Sequence, residues 1–215
     1  MTPVLEAVDV RYRRGGRAVL DGVSLQVSPG ELLAVLGPSG SGKSSLLALL
    51  AGLEPPDEGS VRLSGEALQV GNVPQRHRLG LVLQGYGLLS LLTAAENVEI
   101  ALQARGVTGD AARAAAADAL AGLHLAEVAD KLLEKLSGGQ QQRVAIARAL
   151  VTTPDAVLAD EPTAELDHEA QEVVLTRLRA AATAGAAVVI ATHDPDIADE
   201  CTRQLRIRGG HLYQE

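Results

Sequence analysis

Phenylalanine and tryptophan are absent from this 215-residue chain, and its only aromatic side chains are three tyrosines. A core must therefore be built from Leu, Val, Ile and Ala, which the 47% hydrophobic fraction can supply. The single cysteine, Cys201, excludes an intrachain disulfide and suits the cytosol. No His-bearing motif surrounds it, so it reads as a small buried hydrophobe rather than a nucleophile. Histidine and cysteine never cluster at metal-ligand spacing, which argues against structural zinc. His77, His124, His168 and His211 are scattered and expected to face solvent. Basic residues are in the minority, 19 against 27 acidic, for a net charge of −8 at pH 7. No nucleic-acid partner is expected from that balance. The arginines around Tyr12 (Arg11, Arg13, Arg14 and Arg17) read as a solvated loop. Long apolar runs are missing too: LLALLAGL from Leu46 is far too short to span a bilayer. The opening MTPVLEAVDV lacks the basic-then-apolar pattern of a secretory signal. A soluble chain is expected, whose membrane part, if any, another polypeptide supplies.

What is present alternates between strand-like and helical patterns. VLEAVDVRY, VSLQV and ELLAVLG read as strands broken by Gly and Pro, and SSLLALLAGL after Lys43 as a helix stopped by PPDEG. SVRLSG and LGLVLQG follow as strands, then an Ala-, Leu- and Glu-rich helical block from Thr93 to Lys135. AVLADE and AAVVIATH are apolar runs ending in polar residues, with a helix from His168 to Thr183 between them. QLRIRGGHLY reads as a strand hairpin. Buried strands alternating with helices predict an α/β fold with a mostly parallel sheet and functional groups at strand C-terminal ends. A single domain over 1–215 is expected, with a helical subdomain inserted at about 85–135 and an antiparallel β region at the N-terminus.

GPSGSGKS, Gly37 to Ser44, matches the phosphate-binding P-loop between a strand and a helix. The backbone N–H groups of Gly37, Pro38, Ser39, Gly40, Ser41 and Gly42 (proline excepted) can wrap phosphates. Lys43 reaches the β- and γ-phosphates, and the Ser44 hydroxyl ligates Mg²⁺. Ser45 begins the helix, where its amide can also face a phosphate. Asp160, ending an apolar strand, would hold Mg²⁺, and Glu161 beside it would polarise the attacking water. LSGGQQQRVAIARAL, Leu136 to Leu150, places two glycines at a helix entrance where each costs about 1 kcal/mol against alanine. Exposed amides at a helix start bind anions, so Ser137, Gly138, Gly139 and Gln140 form a second candidate phosphate site.

P-loop, LSGGQ, the ADE strand end, LD and a histidine after another apolar strand together resemble the ATP-binding cassette (ABC) ATPases, from about Val4 to Tyr213. The resemblance implies ATP and Mg²⁺ as ligands. It also implies that LSGGQ binds the γ-phosphate of ATP held by a second copy, or by a paired ABC ATPase subunit. It assigns adenine stacking to Tyr12, and contact with Mg²⁺ and the attacking water to Gln84. His193 becomes the switch histidine at the γ-phosphate, and Asp167 shapes the dimer interface. The loop EPTAELD departs from the commonest spelling, SALD, at Ala164 and Glu165, so a serine contact across the interface is in doubt. KLLEK lacks the proline often found before LSGGQ.

The chain is similar to the lipoprotein-release and macrolide-efflux type cassettes in its short C-terminal end and in Leu79 to Val98. This implies an ATPase subunit peripheral on the inner face of the cell membrane, driving transmembrane permease subunits. A non-transport ABC ATPase, such as a cell-division factor acting with a membrane protein, is built alike. Gly85 to Thr93 is apolar and either forms a groove for a membrane partner's coupling helix or is buried within this subunit.

Overall fold

The computed structural model describes residues 2–83, 85 and 87–214. Two long strands, β1 (Leu5–Arg14) and β2 (Arg17–Val27), form an antiparallel hairpin around the Gly15–Gly16 turn. Arg11, Arg13, Arg14 and Arg17 thus stand on strands, not in a loop as expected, and Arg11 bonds Asp21 and Glu58. The sheet is extended by β4 (Glu58–Leu63) and the two-residue β5 (Glu66–Ala67), in the order β2-β1-β4-β5.

The strands LLAVL, AVLAD and AVVIAT have every residue buried, as strands covered on both faces must. These are β3 (Leu32–Leu36), β7 (Ala156–Asp160) and β8 (Ala187–Thr192). With β6 (Leu79–Val82), β9 (Arg203–Arg208) and β10 (His211–Gln214) they form a sheet ordered β10-β9-β3-β8-β7-β6. Every neighbouring pair is parallel except the terminal hairpin of β9 and β10.

Helix α1 (Lys43–Leu50) buries Leu46, Leu47, Leu49 and Leu50 in a core shared by both sheets. The opposite face of the parallel sheet shares a second core with α5 (Gly138–Leu150) and α6 (His168–Thr183). Into that core also pack α3 (Ala94–Gln103) and α4 (Gly109–Ala121), which lie between β6 and β7 in sequence. Two five-residue helices absent from the sequence reading are α2 (Val73–His77) and α7 (Pro195–Asp199), each with an Asn or Asp cap and an early proline. Among the described residues no helix is long and apolar enough to cross a membrane.

Candidate functional site

The C-terminal ends of β3, β6 and β7 converge on one cleft of about 690 Å³. Ser39 to Ser45, Asp160 and Glu161 line it, together with Arg14, Val19, Leu83, Gly85, Gln142, Ala164 and Glu165. Gly42 caps α1 with φ of 106°, a conformation that side chains rarely adopt, and a Cβ there would press on Val19 and Leu20 at 3.2 Å. The antiparallel sheet therefore braces the loop from outside. Lys43 is buried, and its Nζ donates to Gly37 O at 2.7 Å and Pro38 O at 3.4 Å. Ser41 Oγ is buried with no hydrogen-bond partner among the described residues. A buried hydroxyl without a partner and a ring of glycine amides fit an incoming phosphate.

Glu161 is the junction of the site. Its Oε1 lies 3.5 Å from Lys43 Nζ and 2.9 Å from His193 Nδ1, and its Oε2 accepts from Thr192 Oγ1 at 3.2 Å. The backbone of Glu161 is left-handed at φ 48°, which costs a non-glycine residue about 1–2 kcal/mol. Three bonds hold it there: Glu161 N donates to Ala191 O at 2.8 Å, and Glu161 O accepts from Gln142 Nε2 at 2.8 Å and from Ala164 N at 3.3 Å. Burial, together with the charge of Glu161, holds the Asp160 carboxyl above the ordinary aspartate range. A hydrogen bond with Ser44 and the charge of Lys43 pull against that. The Ser44 hydroxyl and the Asp160 carboxylate are thus adjacent hard oxygen donors, the kind of pair that fits Mg²⁺ held jointly with phosphate oxygens.

The signature helix begins as expected. Ser137 Oγ accepts from Gln140 N at 3.2 Å, and Gln140 Oε1 accepts from Ser137 N at 3.0 Å, a reciprocal capping box. Both side chains are committed to the helix, so the amides of Gly138 and Gly139 are those that the capping box does not engage. None of Ser137, Gly138, Gly139 and Gln140 lines the cleft around Lys43. Gly139 has a local reason as well: a Cβ there would meet Glu165 O and Leu166 Cδ2 at 3.0 Å, whereas one on Gly138 would only displace the tip of the Glu165 side chain.

Tyr12 departs from expectation. Strand alternation puts it on the same buried face as Val10; it is 9% exposed and its hydroxyl donates to Glu54. It does not line the cleft, where Arg14 and Val19 stand instead, so the Tyr12 ring is not presented to a base in this conformation. Asp167 serves its own helix, accepting from Ala170 N at 2.9 Å as the cap of α6. Gln84 lies outside the described residues. The segment around Gly85 to Thr93 divides: Leu88 packs on the core, whereas Leu89 and Leu91 are 47% and 89% exposed. Gln142 carries no signal in the sequence beyond standing one helical turn after Gly138.

Residues 20–164 match the family described as ABC transporter. An uncharacterised ABC transporter ATP-binding protein of Mycobacterium tuberculosis is 44% identical over 208 residues, covering 92% of this chain and 62% of that protein. The macrolide export ATP-binding/permease protein MacB of Salmonella typhimurium is 41% identical over 221 residues, covering 99% of this chain and 34% of its own length. The chain thus spans less than two thirds of the length of these relatives. Among solved structures, the dimeric ATP-binding cassette MJ0796 superposes with a TM-score of 0.91 at 34% identity, over 98% of this chain and 97% of that one. A post-hydrolysis dimer of the same cassette, bound to ADP and Pi, gives 0.89 at 33% identity over 98% of both chains. By family match, by identity to these proteins and by fold, the chain belongs to the ABC transporter family, as an ATP-binding cassette.

Proposed function

We propose that this chain is the Mg²⁺-dependent ATP-hydrolysing subunit of an ABC transporter, working as a dimer with ATP sandwiched between two copies or paired subunits. The observation that carries this reading is the convergence of Lys43 and His193 on a single oxygen of Glu161, beside the Ser44–Asp160 pair. Lys43 would release part of its hold on the loop carbonyls to bind the β- and γ-phosphates. Glu161, freed from Lys43, would hold the attacking water in line with the γ-phosphate. His193 Nδ1 would keep that carboxylate aimed while its ring stands at the phosphate. Ser44 and Asp160 would hold Mg²⁺, which when bound neutralises phosphate charge. The amides of Gly138 and Gly139 would receive the γ-phosphate of the partner's ATP, consistent with their absence from the chain's own cleft.

Transport rests on the relatives, of which MacB proteins combine ATP-binding and permease parts. The subunit would sit at the inner face of the cell membrane. A second hollow of about 400 Å³ between α2, β6, α3 and α5 includes Val73, Arg76, Arg105 and Arg148. With exposed Leu89 and Leu91 it would receive the permease segment.

Glu161→Gln keeps size and hydrogen bonding but removes the charge, so turnover should fall by at least ~100-fold, about 2.7 kcal/mol at roughly 1.36 per decade. ATP should stay bound, and size-exclusion chromatography with ATP and Mg²⁺ should show a stable dimer. Lys43→Ala should lose nucleotide binding as well as turnover. Rapid hydrolysis by Glu161→Gln, or no ATP-dependent dimer, would sink this reading.

A further inference from the structure

Gln142 is a polar residue in an apolar place. It is 2% exposed, on a stretch of α5 where Val144, Ala145, Ile146 and Ala147 are buried. Its Nε2 donates to Glu161 O at 2.8 Å, and a carbonyl can only accept, so this end of the amide must be the nitrogen. The other end, Oε1, is buried with no partner among the described residues, and the residue lines the nucleotide cleft. Buried amides half-satisfied in this way are costly in a native fold and mark places kept for a purpose.

Position gives that purpose. Gln142 stands four residues after Gly138, on the same face of α5 and one turn below its first amides. Glu161 holds a left-handed backbone that only its surroundings can enforce, and of the three bonds that do so Gln142 supplies the one that comes from α5. A small shift or rotation of α5 would therefore move Glu161 O, and with it the carboxylate that meets Lys43 and His193. Helices and packed cores carry such shifts as rigid units.

We propose that Gln142 is a positioning residue tying the signature helix to Glu161, so that a nucleotide docked on α5 sets the hydrolytic geometry at the other nucleotide. This rests on the reading that the signature serves the partner's ATP. In a dimer, α5 of one chain touches the ATP held by its partner, while Glu161 of that same chain serves its own ATP. Gln142 then makes each hydrolytic site respond to occupancy of the other, and hydrolysis becomes positively cooperative in ATP. The coupling lies within one chain and needs no new contact across the interface.

The test replaces Gln142 with Met, which matches its length but cannot donate. Steady-state ATPase of the otherwise unaltered chain should lose kcat on the order of 100-fold, as misplaced catalytic groups do, with little change in KM. The Hill coefficient should fall below that of the parent, since the coupling through Gln142 is cut while ATP-driven dimerisation stays. In the Glu161→Gln background, Gln142→Met should still give the ATP-dependent dimer, because the docking amides are untouched. If the Met variant does not fold, Gln142→Asn, which retracts the amide by one methylene, carries the same expectation. Unchanged kcat and Hill coefficient would overturn the inference, as would a parent enzyme with no cooperativity or loss of the dimer in the double variant. Absence of the dimer in Glu161→Gln alone would instead overturn the reading of the signature on which the inference rests.

Discussion

Cys201 follows α7 and packs against residues of both the parallel sheet and the helical face, with Sγ 3.5 Å from Ile197 O. Burial pushes its thiol up to about 11, with Glu200 adding to the rise and Arg179 opposing it. The thiolate is the reactive form, so a thiol pushed up to about 11 leaves on the order of 100-fold less of it at pH 8. Iodoacetamide should therefore alkylate the folded chain at pH 8 on the order of 100-fold more slowly than the same chain in urea. The sign is fixed by the direction of the shift: reactivity should climb as pH approaches 11 and not plateau near 9. Alkylation at equal rates in the two states would mean that the thiol is neither buried nor raised. The same chemistry fits its reading as a small hydrophobe rather than a nucleophile.

In α3, Asn97 has no exposed surface and spends its whole amide on the preceding loop. Its Oδ1 accepts from Leu89 N at 2.8 Å, and its Nδ2 donates to Leu89 O at 3.0 Å and Thr93 O at 2.9 Å. That one side chain closes the segment joining β6 to α3, beside a capping box of Thr93 and Glu96. Asn97→Leu conserves volume but strips partners from those backbone groups, a loss of about 1–3 kcal/mol per buried group. Water can reach part of the loop, so the expected drop in urea stability is about 2–3 kcal/mol. Limited proteolysis should also cut between residues 87 and 93 faster than in the parent. A stability within ~0.5 kcal/mol of the parent, the usual range for surface changes, would show that the loop does not depend on Asn97.

Elements of this kind separate what the sequence reveals from what packing decides. Helix α6, expected from about His168 to Thr183, runs over those residues, with Asp167 as its cap and Gly185 just past its end. β3, β7 and β8 are legible as unbroken apolar runs, and their polar ends locate the P-loop, Asp160, Glu161 and His193. Tyr12 is different, because β1 shifts register between Ala7 and Val10 and again before Tyr12. The break between Ala7 and Val10 exchanges the two faces of the strand, so alternation carries Tyr12 with Val10 but pairing decides that their face is the buried one. Gln142 is hidden among three consecutive glutamines, which look like a solvated helix face until α5 is packed against β6 and Gln142 meets Glu161 O. Glu165 is likewise a departure in spelling that gains meaning only when Gly138 is seen beneath it.

Across the molecule, the nucleotide cleft joins parts that have few other reasons to move together. The antiparallel sheet reaches it through Arg14 and Val19, the parallel sheet through Asp160 and Glu161, and α5 through Gln142. A ligand bound there stabilises the folded chain by mass action, about 2.7 kcal/mol at 100 times its Kd. For a chain of this size that raises the melting temperature by roughly 5–10 °C, at about 2–4 °C per kcal/mol. One bound chain melts at a temperature independent of its own concentration. A pair of chains bridged by two nucleotides does not, because unfolding also separates them and dilution favours separation. In Glu161→Gln with saturating ATP and Mg²⁺, a tenfold rise in protein concentration should therefore raise the melting temperature beyond the ligand shift. With ADP the ligand shift should remain while the concentration dependence disappears, since no γ-phosphate reaches a partner's Gly138 and Gly139. Lys43→Ala should show neither effect. A melting temperature that ignores protein concentration with ATP present would mean that the two phosphate sites do not meet across a dimer.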